Sequence, residues 1–203
     1  LYLLYPVANY NSRIIKKILL HIRRKFLKIF SPKMINGYKR ELDGKFLPLT
    51  RVSNSTFIDY PHKFEIENNV YIGHHNFIEA SNGIKIKEGC QITNFVTITS
   101  HSSHDSIRIN NYKTKDKIAY HTGSIEINKY SFIGPYSTIM PNTKIGKGCI
   151  VCAYSYLQGE FPDFSIIKGN PAKIVGSVKD KDQKFLNNYP EIVHDYNKWA
   201  KNE

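Results

Sequence analysis

No stretch of eighteen apolar residues occurs in this sequence, so it encodes no conventional membrane-spanning helix. Cysteine is scarce. Cys90, Cys149 and Cys152 form no CxxC pair and no even-numbered disulfide framework, which points to a reducing compartment and a cytoplasmic location. Acidic residues are nearly missing from the first 51 positions, where only Glu41 and Asp43 face 12 lysines and arginines. Those positions carry +10 of the chain's +12 formal charge. The remainder is close to neutral, which removes the argument for a nucleic-acid partner that the overall charge would otherwise invite. The chain opens on Leu rather than Met, as expected where the original amino terminus lies upstream. Its 203 residues suit one medium domain with appendages.

What is present begins with a basic amphipathic pattern in "SRIIKKILLHIRRKFLKIF", residues 12–30. At helical spacing Ile14, Ile15, Ile18, Leu19, Ile22, Phe26 and Ile29 share one face. Lys16, Lys17, Arg23, Arg24 and Lys28 share the other, with Ser12 placed to act as N-cap. The charges interrupt the apolar run, so this is not a signal-peptide core. Two readings stay open: peripheral contact of residues 12–30 with an anionic membrane, including the inner face of the cell membrane, or packing on protein.

The second pattern is a period of six. Ile127, Ile133, Ile139, Ile145, Val151 and Leu157 recur without a miss, each of the last five preceded two positions earlier by a small residue: Ser131, Ser137, Thr143, Cys149, Ser155. Six steps of a helix end about 120° from where they began, so no single helix uses this spacing. An ordinary strand would also bury the intervening alternate positions. A three-sided solenoid satisfies it, with about six residues per side and each large aliphatic stacked on its counterpart one coil away. Earlier blocks repeat the idea with Ile66, Ile72, Ile78 and Ile84, then with Ile86, Ile92 and Ile98. The two-residue offset predicts an insertion at a corner. A sandwich would instead require a period of two and frequent hairpins. Coil ends need covers, and the basic segment and the tail 181–203 are the candidates, Pro190 dividing the tail into two short helices.

Segments such as "IGPYST" and "IGKGCI" resemble the bacterial hexapeptide-repeat transferases, over about residues 57–178, and "IIKGNPAKIVG" (166–176) is similar to the closing segment of that family's O-acetyltransferases. The resemblance implies an all-β, left-handed parallel β-helix, with helical segments at both termini here. It divides the chain into a basic segment (1–50), a β-helical acetyltransferase domain (51–178) with an excursion at about 99–124, and a helical tail (179–203). It further implies a homotrimer, acetyl-CoA as donor, and a carbohydrate acceptor such as a cell-surface glycan or its precursor. By the same resemblance Gly169, Asn170, Pro171, Ala172 and Lys173 border the adenine and phosphate end of the donor, with Lys168 flanking them. Small Ala153 and Ser155 leave room for its pantetheine arm, and Lys144 and Lys147 are weaker cationic candidates.

The regular repeat stops after Ile98 and resumes near Ile125. The intervening polar excursion is too long for a corner, and long loops on rigid scaffolds commonly carry function. It contains His101, His104 and His121. Moving an acetyl group from a thioester to a hydroxyl needs a base at the acceptor oxygen, and imidazole, with an ordinary pKa of about 6.5, can take that proton and release it. The resemblance to sugar and xenobiotic acetyltransferases implies a catalytic histidine just after the last residue of a coil, before such a loop, and by gapless spacing from Ile98 that position falls first on His104 and second on His101. Asp105, or Glu79 or another carboxylate across the groove, would orient the ring. Tyr112, Tyr120 and Tyr136 are candidates for stacking on a sugar, and Trp199 reads as packing.

Two rival chemistries share these residues. A β-helical carbonic anhydrase of the γ class would draw three histidine ligands from His74, His75, His101, His104 and His121, but its H-x-x-x-x-H pair is absent. The leading reading therefore calls for no metal. Sugar N-acetylation leaves no signature that separates it from O-acetylation.

Overall fold

The computed structural model describes residues 7–29, 31–109 and 118–201. It falls into two compact units, 1–33 and 34–203. The first contains helix α1, Val7–Ile29. Ser12 lies inside this helix rather than capping it, because the helical turns begin five residues earlier.

The second unit is a parallel β-solenoid with three sheets. The first sheet contains Tyr71–Ile72, Gln91–Ile92, Phe132–Ile133, Ile150–Val151 and Ser165–Lys168. The second contains Phe57–Asp59, Phe77–Glu79, Thr97–Thr99, Thr138–Ile139 and Tyr156–Leu157. The third contains Phe64–Ile66, Ile84–Ile86, Ile125–Ile127, Lys144–Ile145 and Glu160–Phe161. Register follows the hexads: Ile127 pairs with Ile145, Ile133 with Val151, and Ile139 with Leu157. Each isoleucine of the expected columns from Ile66 to Ile145 is fully or almost fully buried. Stacked β-branched chains on a short pleated side leave no room between coils, which is why one residue type recurs.

The small residues two positions earlier are buried as well, and the hydroxyls of the serines and the threonine among them bond carbonyls at the corners. Ser131 Oγ donates to Gly146 O at 2.8 Å, and Ser137 Oγ to Cys152 O at 3.1 Å. Each bond satisfies a buried polar group and ties one coil to the next. The offset expected between the early blocks is the corner Ala80–Gly83: Ile66 pairs with Ile86, twenty positions on, whereas Ile127 pairs with Ile145, eighteen on. The lower coils are thus longer by two residues.

Both solenoid ends are covered. At one, strands Met34–Lys39 and Phe46–Ser53 form an antiparallel pair, and the latter continues the first sheet against Tyr71–Ile72. At the other, Ser165–Lys168 pairs antiparallel with Lys173–Ser177. The tail then forms two helices, Lys179–Asn188 and Val193–Ala200, separated by a turn that begins at Pro190. Trp199 packs against Tyr130 and Phe164 with tilted rings and against Tyr196 edge-on, ring centroids 4.6, 5.8 and 5.2 Å apart, so its role is packing. Gly148 sits beneath at φ +64°, where an added Cβ would lie 2.9 Å from the Phe164 ring and 3.1 Å from Trp199.

Candidate active site

The excursion leaves the solenoid at the corner between the second and third sheets. Its ends close on each other through Gly123 N–H donating to Ser100 O at 3.0 Å. Just beyond, His101 and Ser102 form a short antiparallel ribbon with His121 and Thr122, in which His101 faces Thr122 and Ser102 faces His121. Successive strand residues point to opposite faces. That alternation separates the histidines into two groups. Tyr112 lies outside the described residues, and Tyr120 is half-buried.

His101 turns towards the solenoid. Its Nδ1 lies 2.8 Å from Oε2 of Glu79, a carboxylate whose side chain is only 4% exposed. The same oxygen accepts from the backbone N–H and the hydroxyl of Ser100, both at 3.1 Å, while Oε1 accepts from Ser81 N–H at 2.8 Å. Burial by itself would raise the Glu79 pKa. The hydrogen bonds from Ser81 and His101 outweigh it and hold the group down at about 2. Glu79 is therefore an anion at any working pH, and it fixes both the orientation of the ring and the nitrogen that carries its proton.

His104 and His121 lie on the other face, stacked at 4.5 Å with planes 3° apart. Asp105 Oδ2 meets His121 Nε2 at 2.6 Å but lies 3.7 Å from His104 Nε2. Its other oxygen is bound by Arg108 from the short helix Ser106–Ile109. These bonds from His121 and Arg108 lower the Asp105 pKa. His104 Nδ1 is 2.8 Å from Ser102 Oγ. Adjacent in sequence to His104, Asp105 thus orients His121 instead.

Glu79, an alternative orienting carboxylate from the sequence, is the one that meets His101, and no spacing in the chain points to the Asp105–His121 pair. The signal for Glu79 was its place at the end of a second-sheet strand, opposite Thr99 in the strand that feeds the excursion.

His104, Asp105 and His121 bring possible ligand atoms within 4.8 Å of one another. That set is one carboxylate and two imidazoles, and the carboxylate is already engaged by His121 and Arg108. The three-histidine alternative finds no support in the placement of the rest. His74 bonds Ser53 Oγ at 2.7 Å and His75 stacks on Phe95, both at the corner between the first and second sheets.

Of the residues proposed for the donor, those at 153, 155 and 168–173 are distributed around that same corner, whereas Lys144 lies in the third sheet and Lys147 between the third and the first. Lys168 and Lys173 are exposed and directly opposite each other where the last antiparallel pair begins, with Gly169, Asn170, Pro171 and Ala172 in the turn between them. Ala153 is exposed. Ser155 is 2% exposed, with its hydroxyl donating to Cys152 O at 2.8 Å and accepting from Gly169 N–H at 3.2 Å, so its side chain braces the turn from within. Beside them runs an unexpected ladder: His75, Phe95, Tyr136 and Tyr154 stack successively at 5.1, 4.9 and 5.0 Å, all at positive φ. Next to the ladder the second sheet presents an uncharged row, Phe57, Phe77, Thr97, Thr138 and Tyr156, in continuous register.

Glu79→Gln tests the buried contact. A neutral amide stabilises an imidazolium formed during proton transfer less, so any transfer that uses His101 as base is expected to slow about tenfold or more. Because the Glu79 pKa is depressed on folding, its contribution to stability is complete above about pH 5 and disappears as pH falls towards 2. Acid-unfolding curves of the variant should lose that slope.

Residues 124–159 match the family model described as bacterial transferase hexapeptide (six repeats). The chain is 28% identical over 112 residues to the putative lipopolysaccharide biosynthesis O-acetyl transferase WbbJ of Escherichia coli (strain K12), covering 53% of this chain and 57% of that protein. It spans less than two thirds of the length of the curated relatives it matches. Among solved structures it resembles AntD, an N-acyltransferase from Bacillus cereus in complex with dTDP and 3-hydroxybutyryl-CoA, with TM-score 0.53, 20% identity, and 68% and 87% of the two chains covered. It also resembles a maltose O-acetyltransferase from Clostridium difficile 630, with TM-score 0.51, 17% identity, and 61% and 64% covered. These two likenesses concern the fold. The chain is a hexapeptide-repeat β-solenoid.

Proposed function

We propose that this hexapeptide-repeat solenoid is an O-acetyltransferase that moves an acetyl group from acetyl-CoA to a hydroxyl of a carbohydrate, a cell-surface glycan or its precursor. The observation that carries the reading is the His101–Glu79 pair at the mouth of the excursion. With Nδ1–H donating to Glu79, His101 presents Nε2 as the base. It accepts the acceptor hydroxyl's proton as that oxygen attacks the thioester carbonyl, and it returns the proton to the departing thiolate as the carbon–sulfur bond breaks. Glu79 stabilises the imidazolium formed in between.

Preference for a glycan hydroxyl is supported by the similarity to WbbJ. The test is a panel of sugars, amino sugars and glycans incubated with acetyl-CoA, with products read by mass spectrometry and with free thiol measured. Transfer only to amino sugars would replace O- by N-acetylation, and absence of any acceptor-dependent thiol release would reject the reading.

Lys168 and Lys173 face one another as like charges, an arrangement that a bound polyphosphate relieves. Reversing both to Glu is expected to raise KM for acetyl-CoA about tenfold or more while leaving kcat within a few-fold. Equal KM values would remove the phosphates from this turn.

The protein acts as a homotrimer in this reading. Support comes from the uncharged row of the second sheet and the ladder beside it, where Phe57, Phe77 and Tyr154 are 58%, 43% and 70% exposed. Analytical ultracentrifugation should give three times the chain mass, and Phe77→Asp should reduce it. The three free cysteines suit the cytoplasm, where the donor would be supplied.

A further inference from the structure

Helix α1 belongs to a compact unit of its own, residues 1–33, and among the described residues of that unit it is the one helix or strand. Every side chain from Arg13 to Lys28 is exposed. At 3.6 residues per turn, Ile14, Ile15, Ile18, Leu19, Ile22 and Phe26 fall within one arc of about 140°. Arg13, Lys16, Lys17, Arg23, Arg24 and Lys28 lie in the opposite arc, which also holds Leu20 and Leu27, and Lys25 falls inside the apolar arc, between Ile14 and Ile18. Seven cations and no acid occur within the helix. It is not apolar enough to cross a bilayer.

Three occupants could cover such a face, and charge decides among them. A second copy of the helix, packed along the same seam, would set lysines and arginines against one another with no glutamate to offset them, unlike the mixed flanking charges that zip coiled coils. A protein groove would need an acidic rim on both sides of the apolar arc. An anionic lipid surface supplies both requirements in one layer: acyl chains for Ile14, Ile18 and Ile22, and phosphates at the depth reached by lysine and arginine side chains that extend outwards from the helix edge.

We propose that α1 lies in the plane of an anionic phospholipid bilayer and holds the protein at that surface. The apolar arc sits at the boundary between headgroups and acyl chains, and the basic arc lies among the phosphates. Binding then requires both arcs, falls as salt rises, and is weak on zwitterionic lipid.

The experiment is co-sedimentation of the full chain with vesicles of phosphatidylcholine, with and without phosphatidylglycerol, at low and high salt. The unmodified chain should pellet with phosphatidylglycerol vesicles and be released by salt. Ile18→Glu with Ile22→Glu, and separately Lys16→Glu with Lys17→Glu and Arg24→Glu, should each weaken binding about tenfold or more. Unchanged thermal unfolding of the solenoid in these variants assigns the loss to the helix face. Binding that is absent in the unmodified chain, equal on both lipids, or unaffected by either variant overturns the proposal. So does a variant that changes oligomeric mass while vesicle binding is retained, which would assign the face to a second copy.

Discussion

Replacing His101 with alanine should lower acetyl transfer by about 100-fold or more, with acetyl-CoA binding largely retained. His101 is the histidine whose ring is held by a buried, fully ionised carboxylate, and Glu79 fixes its tautomer through Nδ1. His104 has a serine hydroxyl at Nδ1 and only a distant approach to Asp105, so His104→Ala should cost less than about tenfold. The comparison separates the two candidates that spacing alone leaves together. Single-turnover rates at saturating donor, with partial rescue of His101→Ala by added imidazole, would distinguish a lost base from a displaced loop. A full loss in His104→Ala with activity kept in His101→Ala would transfer the role to the other face of the ribbon.

The second large effect is on stability and answers why glycine follows Ile133 and Ile145. At Gly134 an added Cβ would lie 2.6 Å from Ala153 N, 2.7 Å from Val151 O and 2.8 Å from the Cys152 carbonyl carbon. All three are backbone atoms of the next coil, so no side chain can rotate aside. The coils must separate, which also strains the bond from Gly134 N–H to Val151 O at 2.9 Å. Gly134→Ala is therefore expected to cost about 3 kcal/mol, at the upper end of overpacking effects, and to lower the melting temperature by roughly 6–12 °C. Gly159 is the control. It has φ +100° and no atom within 4 Å of an added Cβ, so Gly159→Ala meets only backbone strain of about 1 kcal/mol. Equal destabilisation by the two substitutions would show that contact between coils does not set the requirement at Gly134.

The solenoid was readable because its determinants repeat. Ile127, Ile133, Ile139 and Ile145 each meet the same surroundings one coil away, so the period of stacking is written directly into the chain. The corner insertion was readable for the same reason, as a break in phase between Ile78 and Ile86. The excursion was legible as an interruption. Inside it the signal stopped, since partners there are chosen across coils and not along the chain. Asp105 adjoins His104 in sequence yet bonds His121, sixteen residues away, because the ribbon 101–102 against 121–122 brings those two to one face. The cover over the solenoid end was half visible: Pro190 announced two helices, but only packing shows Trp199 seated over Gly148, Tyr130 and Phe164.

By itself the sequence determined a three-sided coil stack, an interruption rich in histidine and a basic amphipathic helix, because each of these is a periodicity or its failure. The tertiary structure alone decided which histidine is held by Glu79, since the ring and the carboxylate are joined by the stacking of one coil on another. It also left the aromatic ladder bare at one corner while Trp199 covers the rings at another. Stacking distance and the alternation of faces in a two-residue ribbon make those choices, and neither leaves a period in the chain.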